Sequence, residues 1–395
     1  MKHLINPKAK NIETSMIRKI SDKVAQYENA INLTVGQPDF RTPDHIKSAG
    51  VQAIKENQTN YTNNAGIPEL RTAASEFIRE KYQISYNSET EVLVTAGATG
   101  ALDIAFRTIL TEGSEVLLPA PIYVGYEPLI KLAGGVPIYI DTTVNNFVLT
   151  ADMIKENITD KTRCIVLSYP SNPTGCILEK EQLEEIAELL RDKEIFILSD
   201  EIYSELTYEK KHTSIASLEG MKEKTIIVNG VSKSHSMTGW RIGLLFAPEY
   251  LTSEIFKVHQ YSTTCTCSIS QYAAAEALST GIKDACEMKK QYIKRINFVY
   301  KRLKEMGLPV QKPEGAFYIF PSIKSLNMSS QEFVDLLLEE KNVAVVPGNA
   351  FSKYGEGYIR ISCAASFAQL QEAMNRMELF IKELLIQKRI KYISI

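Results

Sequence analysis

Seven short runs of apolar, largely β-branched residues recur through the middle of this chain: EVLVT (91–95), EVLLP (115–119), VPIYI (136–140), RCIVLSY (163–169), EIFILSD (194–200), TIIVNG (225–230) and RIGLLFA (241–247). Nearly every position in them is apolar, which suits strands buried on both faces. Between several runs the period changes. In KEQLEEIAELLRDK, Leu183, Ile186, Ala187 and Leu190 recur at helical spacing, and ALDIAFRTIL reads the same way. Strand and helix in alternation predict an α/β architecture with a mainly parallel seven-stranded sheet flanked by helices. Antiparallel exceptions are expected late in the sheet.

After residue 248 the alternation stops. Three helical segments follow, one of them long (near 282–306) and rich in Lys, Arg and Tyr. Then come the short apolar runs GAFYIFP, VAVVPG and YIRIS, a final helix and a mixed tail, KRIKYISI. This reads as a smaller α+β unit. At 395 residues the chain exceeds what one core ordinarily serves. Its formal net charge of −2 gives no electrostatic reason to expect a nucleic-acid or anionic-membrane partner. No stretch has the length to span a bilayer, and the N-terminus lacks an apolar signal core. Six scattered cysteines, with Cys265 and Cys267 separated by one residue, do not form a zinc pattern. Free thiols in a reducing cytoplasm are expected, and no metal site.

In open α/β sheets ligands collect beyond the carboxyl ends of the strands, so the residues that follow each run carry the functional reading. After EVLVT comes a Gly97–Ala98–Thr99 turn that opens a helix and can present backbone donors to a phosphate. Asn172 follows RCIVLSY, Asp200 ends EIFILSD with Tyr203 just beyond, and TIIVNG leads to Ser232 and Lys233. Arg241 lies between Gly239 and Gly243, in an apolar stretch where a permanent charge needs a partner. A lysine can condense with an aldehyde and an arginine can clamp a phosphate; pyridoxal phosphate carries both groups. Each residue has a plainer reading as well. Lys233 can be a solvated loop charge, Asp200 a helix cap, Asn172 a turn residue, Tyr123 a core aromatic and Arg360 a surface arginine on a half-buried strand.

The run Gly230-Val-Ser-Lys233, followed by Gly239-Trp-Arg241-Ile-Gly243, matches the lysine-attachment signature of class I and II aminotransferases. With SNPTG and LSDEIY, it makes the chain resemble the aspartate-aminotransferase-like branch, fold type I, from Val35 to Ser362. The resemblance implies pyridoxal 5'-phosphate on Lys233, with Asp200 paired to the pyridine nitrogen and Asn172 and Tyr203 bonded to the phenolic oxygen. It implies Tyr123 stacked on the ring, and Arg241, Ser232, Gly97, Ala98 and Thr99 at the phosphate. Gly230 stands where many relatives carry Ser. Arg360 in YIRIS would grip the substrate α-carboxylate together with Asn172 and with Gly36 of VGQPDF. Tyr61 would reach the neighbouring subunit's phosphate, which implies a two-fold homodimer.

The same resemblance packs the first forty or so residues with the smaller unit, giving a large cofactor domain over 43–285 and a small domain over 1–42 and 286–395. It implies a cytoplasmic transaminase that exchanges amino groups between L-amino acids and 2-oxo acids by a ping-pong path, with Lys233 moving the α-proton. Within the family the chain is most similar to the bacterial N-acetyl-diaminopimelate aminotransferase group, which points to diaminopimelate and lysine or to aspartate and aromatic metabolism. Arg18 is a candidate for a distal substrate carboxylate, or simply part of a solvated helix face. Two alternatives use the same residues: a carbon–sulfur β-lyase, and a non-catalytic sensor domain of the kind joined to DNA-binding modules, for which no basic helix-turn-helix pattern is present.

Overall fold

The computed structural model describes residues 1–393. All seven runs become strands of one sheet, in the spatial order Val92–Ala96, Ile242–Phe246, Thr225–Gly230, Phe196–Asp200, Thr162–Ser168, Glu115–Ala120, Val136–Asp141. Six of these strands run in one direction, five of them in directly parallel pairs. The exception comes late in the chain, as expected: Ile242–Phe246 is antiparallel to both of its neighbours.

The near-continuous apolar runs follow from burial on both faces. Along Thr225–Gly230, Ile226 and Val228 enter one core with Leu93, Leu198 and Leu245. Ile227, between them, enters another with Val92, Val94 and Phe246. With side-chain period two, both sets must be apolar. Each fully buried aliphatic side chain contributes about 1.5–3 kcal/mol over its exposed state. The helix Lys180–Leu190 buries Leu183, Ile186, Ala187 and Leu190, the four positions expected. It begins with a capping box in which Glu179 and Gln182 satisfy each other's backbone donors.

Beyond residue 248 lie the helices Glu249–Thr263, Ser268–Ser279 and Asp284–Glu305. A three-stranded antiparallel sheet follows, ordered Val346–Pro347, Ile359–Ser362, Tyr318–Ile319. Ile359 and Ile361 pack into a core with Ile296, Val299, Phe333 and Phe380, which turns Arg360 the other way. The N-terminal strand Ile31–Asn32 pairs in parallel with Val343–Ala344. Upstream, Ile20 and Val24 of the helix Met16–Val24 enter a core shared by Leu117 and Ile165 of the large sheet and Leu338 and Val346 of the later segment. Lys23 is tied to the later segment as well, through Asp335 (2.7 Å) and Glu339 (3.0 Å). The last helix, Phe367–Ile393, takes in most of the KRIKYISI tail; its final two residues lie outside those described.

Among the described residues no helix is long and apolar enough to cross a membrane. Nor does any group of three or more His, Cys, Asp or Glu there stand where it could hold a metal ion. The six cysteines are free thiols, with Cys265 half-buried and Cys267 exposed.

Candidate active site

The carboxyl ends of the strands open into a cavity of about 270 Å³. Gly36, Ala98, Thr99, Tyr123, Asn172, Asp200, Tyr203, Ser232, Lys233, Arg241 and Arg360 all line it. Residues 324 positions apart in sequence, from Gly36 to Arg360, therefore meet at one place. Gly97 sits just behind the wall. Its φ of +75° is one that side chains rarely adopt, and a methyl group there would collide with the Arg241 guanidinium. Tyr61 lies apart from the cavity of its own chain and is 86% exposed. Arg18 is exposed on the outer side of its helix, and its neighbour Ile17 lines the cavity instead.

Lys233 is half-buried, and its Nζ donates to the Gly36 carbonyl at 2.6 Å. Burial, and then the positive charges of Arg241 and Arg360, push its amine down to about 8, with Asp200 opposing them. About a tenth of an amine so depressed is unprotonated at about pH 7, far more than of an ordinary lysine, and able to act as nucleophile or base. The unfolded chain holds the same amine near 10.5. Between these values the unfolded state binds more protons, so this group makes the fold more stable as pH rises through the interval, and its penalty is fully present below it. The cofactor-free wild type is therefore expected to gain on Lys233→Met in urea midpoint between about pH 7 and about pH 10. A difference that stays flat or shrinks contradicts the depressed amine.

Asp200 is buried, and its Oδ2 accepts from the Tyr126 hydroxyl at 2.5 Å. Its Oδ1 accepts from the Ile202 backbone N–H at 3.2 Å, so the local turn expected of an Asp is formed as well. Burial raises its affinity for a proton above that of an ordinary Asp, while Tyr126, the Ile202 amide and Lys233 pull the other way. The Tyr126 oxygen also lies 2.9 Å from Ser168 Oγ, whose hydroxyl can donate to it because the single phenolic proton goes to Asp200, and Tyr126 is fully buried.

Arg360 is not the surface arginine that a half-buried strand allows. It is 2% exposed and among the largest fully buried side chains. Its Nη1 donates to Asn172 Oδ1 at 2.9 Å and its Nη2 to the Thr34 carbonyl, both neutral acceptors, and its Nε has no partner. Its guanidinium lies 4.5 Å from the Tyr318 ring and 4.9 Å from that of Phe351. Burial lowers its pKa, and the groups that offset this are the hydroxyls of Tyr318, Tyr203 and Tyr123. A buried cation held by neutral groups alone is costly unless an anion joins it. Asn172, also buried, turns its carbonyl to Arg360 rather than to a local turn, which leaves its amide N–H groups to donate into the cavity.

Arg241 differs from expectation. It ends the short turn Thr238–Trp240 in a left-handed conformation (φ +57°) and donates to the Thr238 carbonyl at 2.9 Å. Its side chain is exposed at the mouth of the cavity, so water meets the charge that the apolar sequence context marked as needing a partner. Tyr123 lies edge-on to Tyr126 at 5.4 Å, one side in the core and the other in the cavity. The strand-end reading did not single out Tyr126, Ser168, Thr238 or Tyr318, which also line the cavity. The two tyrosines sit in aromatic, apolar stretches (APIYVGYEP and GAFYIFP) that look the same as core sequence.

Residues 28–377 match the family model for class I and II aminotransferases. A probable N-acetyl-LL-diaminopimelate aminotransferase of Bacillus subtilis is 55% identical over 381 residues, covering 96% of each protein. An aspartate aminotransferase of Pyrococcus abyssi is 44% identical, over 96% of this chain and 97% of its own. The crystal structure of an aromatic aminotransferase from Pyrococcus horikoshii aligns with a TM-score of 0.88 at 44% identity, covering 92% of this chain and 99% of that one. These three are named for amino-group transfer, which favours that chemistry over carbon–sulfur cleavage or sensing.

Proposed function

Because the chain belongs to the class I and II aminotransferases, a pyridoxal-phosphate-dependent family, and is itself a transaminase, we propose that it carries that cofactor on Lys233 and uses Arg360 to hold the α-carboxylate of an amino acid. One observation carries the reading: a buried guanidinium bonded only to neutral acceptors shares a cavity with the half-buried Lys233 amine, depressed to about 8. The donor set fits the cofactor. A phosphate suits the Gly97–Thr99 turn with Ser232 and Arg241, where Gly97 lacks the Cβ that would displace the arginine. A ring nitrogen suits Asp200, a phenolic oxygen suits Tyr203 and the Asn172 amide, and Tyr123 supplies an aromatic wall.

Bound there, the cofactor supplies an aldehyde and a ring that draws electrons from the substrate α-carbon. The chain does the rest. Arg360 and Asn172 orient the carboxylate. Lys233 takes the α-proton as base and returns it as acid, a role that its lowered affinity for a proton favours near neutral pH. Tyr126 and the Ile202 amide favour the ionised form of Asp200 against its burial. Tyr126→Phe is therefore expected to lower kcat about 10- to 100-fold, since hydrogen bonds to charged groups are worth about 1.5–3 kcal/mol, with KM nearly unchanged. Steady-state kinetics of the variant at saturating cofactor check this, and an unchanged kcat contradicts it.

The name of the relative at 55% identity supports N-acetyl-LL-diaminopimelate as the preferred amino donor, with a 2-oxo acid as acceptor. A half-reaction screen tests the choice. Single amino acids are mixed with the cofactor-loaded protein and the cofactor absorbance is followed. N-acetyl-LL-diaminopimelate should respond faster than aspartate or the aromatic amino acids. A faster response to aspartate assigns the chain to another substrate, and release of homocysteine, pyruvate and ammonia from cystathionine without any half-reaction contradicts transamination. The exposed Tyr61, outside its own cavity, supports a homodimer in which it reaches the neighbour's phosphate, and a cytoplasmic location belongs to the same reading. The division into 43–285 and 1–42 with 286–395 belongs to the same reading.

A further inference from the structure

Tyr318 belongs to none of the motifs at the strand ends, yet it touches three parts of the site. Its strand, Tyr318–Ile319, pairs with Ile359–Ser362, which brings it beside Arg360. Its ring lies against the guanidinium at 4.5 Å, and Phe351 approaches the same guanidinium at 4.9 Å. Its hydroxyl meets that of Tyr203 at 2.8 Å, with the two rings edge to face. The same hydroxyl abuts Gly36 so closely that a Cβ there would overlap it, and the Gly36 carbonyl accepts from Lys233.

Both phenols are buried, and each has one proton to donate. When Tyr318 donates to Tyr203, the Tyr203 proton is free to point into the cavity, and a phenol that accepts one hydrogen bond donates a stronger one. The ring acts separately. A guanidinium with few acceptors has little to fix its plane, and an aromatic face at this distance supplies part of what is missing.

The geometry points to Tyr318 as a positioning residue that acts through two others: its hydroxyl aims the Tyr203 hydroxyl into the cavity, and its ring sets the plane in which Arg360 meets a carboxylate. This rests on the proposed reading, in which Tyr203 faces the cofactor's phenolic oxygen and Arg360 the substrate. It also gives Gly36 a reason to be glycine, since any larger residue would displace the hydroxyl.

The two actions separate by mutation. Tyr318→Phe keeps the ring and removes the hydroxyl. The bound cofactor's absorbance should then titrate at a pH higher by about half a unit to one unit, the equivalent of one neutral hydrogen bond. The midpoint moves up because a weaker donor stabilises the phenolic oxygen's anion less. KM for the amino acid should stay within about twofold, since the ring still supports Arg360. Tyr318→Leu removes both, and KM should rise about 5- to 10-fold as well. If the leucine variant does not fold, Tyr318→Met, closer in length, replaces it. An unmoved titration midpoint in Tyr318→Phe overturns the first action, and an unmoved KM in the folded variant without a ring overturns the second. A purely structural role would lower the thermal midpoint without moving either quantity, which also overturns the inference. Wild-type protein that gives no pH-dependent cofactor band fails the underlying reading instead, so the two failures are distinguishable.

Discussion

Lys233→Ala is expected to lower kcat by at least about 10⁴-fold, the upper range for removing an acid–base group, while the protein still folds and still takes up the cofactor. The size of the effect follows from what surrounds the position. Among the cationic side chains that line the cavity, Arg241 sits at its mouth and Arg360 is engaged by Asn172 and Thr34. Neither is an amine. No other lining residue can both bond covalently to an aldehyde and move a proton at the α-carbon. Loss of turnover should come with loss of the visible absorbance of the lysine-bound cofactor, and single-turnover kinetics with spectra check both. Retention of more than about a tenth of the wild-type kcat would place the proton transfer on another residue.

The second large effect falls on substrate rather than cofactor. Arg360→Leu is expected to reduce kcat/KM by roughly 30- to several-thousand-fold, the range for truncating one partner of a buried charge pair, about 2–5 kcal/mol. Cofactor affinity should change by less than about threefold, because Arg360 meets Asn172, Thr34, Tyr318 and Phe351 and none of the residues assigned to the phosphate. Arg360→Lys should recover little. A lysine keeps the charge but loses the planar fork that a carboxylate meets with two parallel bonds. Titration with cofactor and with a non-reacting dicarboxylate separates the two affinities. An equal loss of both would remove the arginine from the carboxylate site.

The sheet was legible because its strands, the edge strand Val136–Asp141 apart, are buried on both faces. That forces unbroken apolar runs, and seven such runs are hard to place in any other architecture. The residues at the strand ends were legible for a related reason: a carboxylate, an amide or an amine immediately after an apolar run stands out against it. Asp200, Asn172 and Lys233 each end or follow such a run, and all three line the cavity. The two arginines were harder to place. YIRIS alternates like a strand with a wet face, but the cavity it faces lies inside the protein, so Arg360 is buried. GWRIG is apolar on both sides, yet a left-handed residue ending a short turn brings Arg241 out to solvent.

Tyr126 and Tyr318 were illegible for a different reason. Each acts through a hydroxyl whose partner lies 74 or 115 residues away, and nothing in the local sequence distinguishes such a tyrosine from a core aromatic. The N-terminal helix was only partly legible. Its apolar residues Ile20 and Val24 reach a core built from both sides of the molecule, a placement that depends on how the two sheets meet and not on the helix's own pattern.

The central claim is that one amine, held in a cavity where strand ends, a substrate-facing arginine and a phosphate turn converge, carries the cofactor. Borohydride reduction of the cofactor-loaded protein, followed by proteolysis and mass spectrometry, tests it most directly. The account predicts a single pyridoxyl adduct, on the peptide that contains Lys233, in about one copy per chain. An adduct on a different lysine, or none despite a bound cofactor, would contradict it.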